Sequence, residues 1–231
     1  MKTHLLSSAL SVAIFLAAAP ALAHDAKHHL VKNTELKQFG GNRLPTPAIQ
    51  GAQVPLWPSL TGHRFAASTA SKEAQDYVDQ AMMLSFGFNH AEAARSFEQA
   101  QKLDPSCAIC FWGEALVLGP NINAPMDTVA NAAALAAVTK AVALAPDASP
   151  REQALIAALA RRYAPDTERT VLDQAYAEAM AEVAGKFPQD DDIAVLYAEA
   201  LMDLNPWDYW TDAGAKPKGK TGLSSRRSSG C

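Results

Sequence analysis

Apolar and small residues recur at helical spacing through the middle of the chain. Between residues 74 and 88, Tyr77, Ala81 and Leu84 stand at positions i, i+4 and i+7, which puts them on one face of a helix. Alanine dominates this part of the sequence, while β-branched residues are sparse and do not alternate with polar residues over any length. These patterns favour helices over strands and predict an all-α fold.

The helical pattern returns further along the chain. The apolar face of the first helix reappears 34 positions later, as Tyr77 with Phe111, Ala81 with Ala115 and Leu84 with Leu118. The second helix, 89–105, reappears at a separation of 41, as Ala93 with Ala134, Phe97 with Val138, Ala100 with Ala141 and Pro105 with Pro146. Because proline cannot continue a helix, each such proline marks the end of a helical pair.

Two insertions explain the repeats that are longer than 34 residues. One is GPNINAPMD (119–127), and the other is YAPDTERT (163–170), where the step from Pro146 to Pro188 grows to 42. Both lie between the two helices of a pair. Such turns line up along one edge of a stack of helical pairs, so they predict a binding edge.

The pattern of small, aromatic and proline positions resembles the tetratricopeptide repeat. The segments GFNHAEAARSFEQA and CAICFWGEALVLGPNIN are similar to an exported bacterial group of such proteins with no assigned activity. The resemblance covers roughly residues 74–204 and departs from the pattern at Tyr176, where a small residue is expected. It implies an α-solenoid of stacked helical hairpins, with about three and a half repeats. An irregular helical bundle is the alternative.

The resemblance also implies a binding surface. In the tetratricopeptide family, the first helix of each repeat lines a concave groove that holds a peptide. Carried over, the groove positions are Val78, Met82, Ser85, Phe86, Ile109, Trp112, Leu116, Arg161, Glu199 and Asp203. Methionine and aromatic side chains there would grip an apolar peptide segment, unless some of them, Trp112 above all, belong to the core. The implied function is a non-catalytic scaffold with a protein or peptide partner.

The first residues predict export. Residues 1–23 combine Lys2, an apolar run and the closing Ala21-Leu22-Ala23, the order of a secretory signal peptide cleaved after Ala23. We therefore expect a periplasmic protein without stable membrane insertion after cleavage. No later segment is expected to be long and apolar enough to span a bilayer.

Three further segments complete the predicted organisation. Residues 24–70 contain many prolines and form an irregular arm, which packs on the first hairpin through Leu56, Trp57 and Leu60. Residues 71–212 carry the helical repeats. Residues 213–231 are basic, contain one large apolar side chain and are expected to be disordered.

The last predicted helix, 190–204, begins with three aspartates, which cap free backbone N–H groups and complement the helix dipole. Its apolar side needs a covering helix, and no sequence after Trp210 can form one. We therefore expect the chain to be a truncated or frame-shifted product.

Charge narrows the class of partner. The chain has a formal net charge of −4, although its last nineteen residues hold five lysines or arginines and no acid. The body is therefore acidic, which argues against nucleic acid as a partner because phosphate binding needs clustered cations.

Cys107 and Cys110 have the spacing of redox and metal motifs. The repeat register places Cys107 on the turn after Pro105 and Cys110 in the first turn of the next helix, where the dipole lowers a thiol pKa. A thiol redox or metal-handling accessory function is therefore the alternative to a scaffold. However, an exported compartment oxidises such a pair, Phe111 stands where a haem motif has histidine, and zinc needs two further ligands. We interpret the pair as a packed joint or a local disulfide.

Other chemistry finds little support. The sequence has no Gly-rich phosphate loop and no nucleophile elbow. His24, His28 and His29, at the start of the mature chain, are candidates for copper or zinc, but a flexible terminus offers no fixed geometry. We expect no cofactor and no metal site beyond this candidate.

Overall fold

The structure, a computed structural model, describes residues 54–218. Regular structure in this range consists almost entirely of seven α-helices. They are α1 (Lys72–Phe86), α2 (His90–Leu103), α3 (Ala108–Leu118), α4 (Thr128–Leu144), α5 (Pro150–Ala160), α6 (Arg169–Lys186) and α7 (Asp191–Met202). A hairpin of two short strands, β1 (Trp210–Thr211) and β2 (Lys216–Pro217), follows them. The all-α prediction is confirmed for this range.

Local capping chemistry sets several helix starts. Ser71, Asp127, Ser149 and Asp190 each accept a hydrogen bond from a backbone N–H in the first turn of the following helix. Ser149 also forms a reciprocal capping box with Glu152. The capping role expected for the acidic run before α7 is confirmed at Asp190, which accepts from the backbone N–H of Ile193.

Each helix packs against the next one in sequence, and α3 also contacts α1 and α5. The residues matched between the second helices of the first two pairs all lie in the core, at 3% exposure or less. They are Ala93, Phe97, Ala100, Ala134, Val138 and Ala141. Small side chains at these positions let neighbouring helix backbones approach, while the larger ones fill the remaining space.

Gly113 shows how close this approach is. A Cβ atom added at Gly113 would lie 2.1 Å from the ring of Phe97, so any side chain there would displace the ring. Glycine inside a helix costs about 1 kcal/mol relative to alanine. The close contact between α2 and α3 gives a reason for the glycine.

The structure corrects two expectations about the rest of the chain. Residues 213–218 were expected to be disordered, but they complete the hairpin, in which Lys218 donates its backbone N–H to Tyr209 and pairs with Asp208. Residues 219–231 lie outside the described residues. So do the predicted signal peptide, 1–23, and most of the arm.

The second correction concerns membrane spans. Within residues 54–218, the stretch Thr128–Asp147 is long and apolar enough to cross a bilayer by length and composition alone, contrary to expectation. Core helices of folded domains pass the same test. One face of α4 is indeed buried, at Ala130, Ala134 and Ala141, and α4 packs against α3.

Candidate functional site

Residues 54–69, which precede α1 in sequence, form an irregular segment that lies across α1, α3, α5 and α7. We call it the strap. Its Phe65 is completely buried and stacks on Trp112 of α3, with ring centroids 5.6 Å apart and planes 9° from parallel. The guanidinium of Arg151 on α5 lies 4.4 Å from the centroid of the same Phe65 ring. The strap therefore fills the space between α1, α3 and α5.

Buried polar side chains hold the main chain of the strap near Phe65. The backbone N–H of Phe65 donates to Asp79 (2.9 Å), and that of Ala67 donates to Gln75 (2.9 Å). The Gln75 amide donates in return to the carbonyl of Phe65 (2.8 Å). From α5, Glu152 accepts from the backbone N–H of Ser68 (2.7 Å). Partners of this kind compensate the cost of burying Asp79, Gln75 and Glu152.

A second clamp holds the beginning of the strap. Gln80, which is completely buried, accepts from the backbone N–H of Trp57 (2.6 Å) and donates to the carbonyl of Pro55 (2.9 Å). The hydroxyl of Tyr77 donates to the carbonyl of Val54 (2.8 Å). Leu56 and Leu60 are partly buried against the core, so the described end of the arm, residues 54–69, packs on the helices as predicted. Trp57 is the exception, because its side chain is exposed.

The strap also reaches the last helix. His63 and Asp192 of α7 form a hydrogen bond of 2.7 Å, and the His63 ring meets Phe86 of α1 edge-on at 6.3 Å. Asp192 also pairs with Arg151, which joins α5 to α7. One short segment thus ties together helices that are distant in sequence.

Five of the residues predicted to line a groove are not accessible. They are Val78, Met82, Ile109, Trp112 and Leu116, each between 0 and 8% exposed. Trp112 lies under Phe65 of the strap and donates its indole N–H to the carbonyl of Leu155 (3.2 Å). The burial of all five favours the core alternative, and their assignment to a binding groove is wrong for this structure.

The other five predicted groove residues separate into two groups. Arg161 is exposed at the end of α5, and Asp203 has a side chain only 3% exposed that pairs with Arg162. Ser85, Phe86 and Glu199 do come together at one open cavity.

This cavity, the α1–α7 groove, has a volume of about 700 Å³. Its apolar lining comes from the end of α1, the turn after it, the first insertion and α7, through Met83, Phe86, Phe88, Ile122, Val195, Ala198 and Met202. Its polar lining is His63, Ser85, Asp191, Asp192 and Glu199. Phe88 and Val195 are about half exposed, at 49% and 50%. The groove is therefore a mainly apolar surface with an excess of carboxyl groups.

Beside the groove lies a buried ionic cluster centred on Arg162, whose side chain is 3% exposed. Arg162 pairs with Asp203 at 2.6 Å and Asp173 at 3.2 Å, and lies 4.7 Å from the ring centroid of Tyr176. Burial works to lower the pKa of the guanidinium, but its anionic neighbours, Asp203 first, hold that pKa above its usual value. Burial raises the pKa of Asp203 despite the opposing Arg162. Burial likewise raises the pKa of Glu199 to about 7, with Asp203 adding to the effect and Arg162 opposing it.

The two insertions meet at a second cavity, of about 750 Å³. The first contributes Pro125 and Met126, and the second contributes Ala164 and residues 166–168, together with the adjoining starts of α4 and α6. The structure therefore brings parts of both insertions together at one cavity. Their alignment along one edge of a helical stack, and a binding role there, stay predictions.

Cys107 and Cys110 form a disulfide at the start of α3, and both residues are completely buried. Cys107 is the residue before the helix and Cys110 lies in its first turn, so the predicted register is confirmed. Thiol exchange requires a thiolate to reach a disulfide sulfur. The enclosed sulfurs favour a structural joint.

Replacing both cysteines by alanine is expected to lower the free energy of unfolding by about 1–2 kcal/mol, because the bond closes a very short loop. Urea unfolding followed by circular dichroism measures this loss. Unfolding the unmodified protein in the presence of a thiol, which reaches the sulfur atoms in the unfolded chain, should show a loss of similar size. Complete unfolding of the alanine variant would contradict the modest structural role.

Metal ligands do not converge in the described part of the chain. Within residues 54–218, no group of three or more His, Cys, Asp or Glu side chains has a metal-binding arrangement. The candidates His24, His28 and His29 lie outside the described residues.

Comparisons with protein-family models, with curated proteins and with solved structures found no match for this chain. The candidate site therefore rests on its own geometry.

Sequence reasoning placed the arm on the first hairpin but missed its contacts with α3, α5 and α7 and the polar side chains that hold it. The signal was present in α1, where Gln75, Asp79 and Gln80 interrupt a helix that is otherwise buried through apolar residues. Buried polar groups need hydrogen-bond partners, and here the partners are main-chain groups of another segment. The sequence of α1 does not indicate which segment supplies those main-chain groups.

Proposed function

We propose that this protein is a non-catalytic periplasmic scaffold of tetratricopeptide-like helical hairpins. Its α1–α7 groove binds a segment of another polypeptide. The helical pairs, the matched buried positions and the predicted signal peptide support this reading. We call the surface of α1, α3, α5 and α7 that the strap crosses the inner surface. The partner occupies the part of it that the strap leaves open.

The observation that carries the proposal is the way the helices hold the strap. Gln75 and Gln80 each bond to a backbone N–H and a backbone carbonyl of the strap, at positions two residues apart in both cases. Contacts to main-chain groups do not depend on the side chains of the bound segment. An aromatic anchor, Phe65 on Trp112, adds apolar contact area. The inner surface is thus suited to holding a polypeptide.

The groove has the properties of a binding site in its own right. Its volume of about 700 Å³ is in the range of ligand pockets. Phe86, Phe88, Met83 and Met202 offer aromatic and flexible apolar contacts, which are common at peptide-binding surfaces. The thiol redox alternative gains no comparable support, since Cys107 and Cys110 are enclosed.

A groove variant tests the proposal. Peptides enriched on the unmodified protein from a displayed random library are synthesised with a fluorescent label and titrated by anisotropy. Val195→Asn, on the groove wall, should weaken their binding by about tenfold, because it places an unpaired amide group against the apolar part of the bound peptide.

Val142→Asn on α4 is the matched control, since Val142 is 46% exposed and Val195 is 50% exposed. Val142 is not among the groove residues, so this variant should bind as the unmodified protein does. Failure to enrich any peptide, or equal loss in both variants, would contradict the proposal.

A further inference from the structure

We infer that the segment held in the α1–α7 groove carries a lysine or arginine among apolar residues, and that this cation pairs with Glu199. The inference rests on the proposed function and specifies the chemistry of the partner. It follows from the distribution of charge and apolar surface along the groove.

The carboxyl groups of the groove differ in whether they already pair with a basic side chain of the protein. Asp192 is paired with His63 and with Arg151, and Asp191 is exposed at the rim. No lysine or arginine in residues 54–218 forms an ion pair with Glu199, because the nearby Arg162 is bound to Asp173 and Asp203. Glu199 is therefore the partly buried carboxyl with capacity for an incoming cation.

The surroundings of Glu199 suit a long basic side chain. Val195 and Met202 precede and follow it by about one helical turn, so all three lie on the face of α7 that lines the groove. The opposite wall presents Phe86 and Met83 of α1. The methylene groups of a lysine or arginine can lie along such walls while the charged end reaches the carboxyl.

Glu199 is also placed to make binding depend on pH. Burial, and then the charge of Asp203, raise its pKa to about 7, while Arg162 opposes them. An incoming cation favours the ionised carboxyl, so binding should release a proton and should weaken as the pH falls through 7.

Other charged or titratable groups surround Glu199. They are Asp203 on α7, Arg162 after α5, Tyr176 on α6, His63 on the strap, and Asp191 and Asp192 at the start of α7. The α1 lining residues, Met83, Ser85 and Phe86, contain no titratable group. His63 lines the groove and bonds to Asp192, so a His63 variant belongs in the test.

The probes are two labelled peptides of leucine and phenylalanine, one with a central lysine and the other with acetyl-lysine in its place. Their affinities are measured by anisotropy at pH 8 and pH 6. At pH 8 the lysine peptide should bind about tenfold tighter than the acetylated one. Its own affinity should fall about fivefold between pH 8 and pH 6, because binding that is tenfold tighter to the ionised carboxyl lowers the pKa of Glu199 from about 7 to about 6 in the complex.

Glu199→Gln should remove both the preference for lysine and most of the pH dependence. Glu114→Gln on α3 is the control, because burial also raises the pKa of Glu114 but it lies away from the groove and binds Gln101. His63→Gln should retain the preference for lysine. The change with pH in the affinity of this variant for the lysine peptide then measures the contribution of Glu199.

The outcomes separate the two proposals. Equal binding of both peptides at pH 8, weakened in both by Val195→Asn, would overturn the inference and leave the proposed function standing. A preference for lysine that survives Glu199→Gln would overturn the assignment to Glu199. No binding of either peptide at either pH, together with no enrichment of library peptides, would count against the groove as a binding site altogether.

Discussion

Replacing Trp112 by alanine will lower the free energy of unfolding by about 4 kcal/mol. The side chain is 1% exposed, stacks on Phe65 and donates its indole N–H to the carbonyl of Leu155. Its removal opens a large cavity between α3 and the strap. It also leaves a buried carbonyl without this donor, which adds to the loss. Urea unfolding monitored by circular dichroism gives the value.

Trp207→Ala is the matched control, because Trp207 is 69% exposed after α7. This change should alter stability by no more than about 0.5 kcal/mol. Trp112→Ala should also increase the hydrogen-exchange rate, relative to the unmodified protein, most at the amides of Phe65 and Ala67. The hydrogen bonds of these two amides depend on a docked strap. Similar losses in the two tryptophan variants would contradict the assignment of Trp112 to the core.

Replacing Arg162 by methionine will destabilise the protein by about 3–5 kcal/mol at pH 8. Methionine fills much of the same space, but it leaves Asp203 without a cation, whereas Asp173 keeps its ion pair with Arg169. The nearby Glu199 then adds a further uncompensated carboxyl. The protein is therefore destabilised because buried carboxylates lose their counter-ion, not because a cavity opens.

The pH dependence of this loss identifies its cause. Asp203 already has a raised pKa through burial, and removing Arg162 takes away the group that opposes the rise. A carboxyl whose pKa is higher in the folded than in the unfolded chain destabilises the fold once the pH exceeds the folded pKa. The difference between Arg162→Met and the unmodified protein should therefore be larger at pH 8 than at pH 5.

Arg161→Met is the control for the neighbouring position, where the side chain is exposed. It should cost no more than about 0.5 kcal/mol at either pH. An Arg162→Met loss that is the same at pH 5 and pH 8 would show that lost packing, not unpaired charge, is responsible.

The positions of the helices were predictable from the sequence because their causes are local. Ala93, Phe97 and Ala100 form a small–large–small face within a single helix, and Pro105 follows directly after that helix. A pattern of this kind depends on neighbours three and four residues away. The boundaries of α2 and α7 accordingly fall within two residues of the predicted ones.

The groove was only partly predictable because it depends on what covers each helix. Phe86 and Glu199 both line the α1–α7 groove. Trp112, which matches Val78 at the 34-residue separation, lies under Phe65 instead. That contact joins residues 47 positions apart, and no helical pattern contains it.

The strap gives this chain unusually long-range connections for a protein built of neighbouring helices. Its bond from Ser68 to Glu152 spans 84 residues, and that from His63 to Asp192 spans 129. Helices that contact only their neighbours can fray from one end of the stack. Here α7 can separate only if the bond between His63 and Asp192 breaks, so the last helix is coupled to the segment before the first. That bond can form only after α7 has been made, whereas the bonds from the strap to α1 and α5 do not require α7. The last attachment of the strap is therefore a late step in folding.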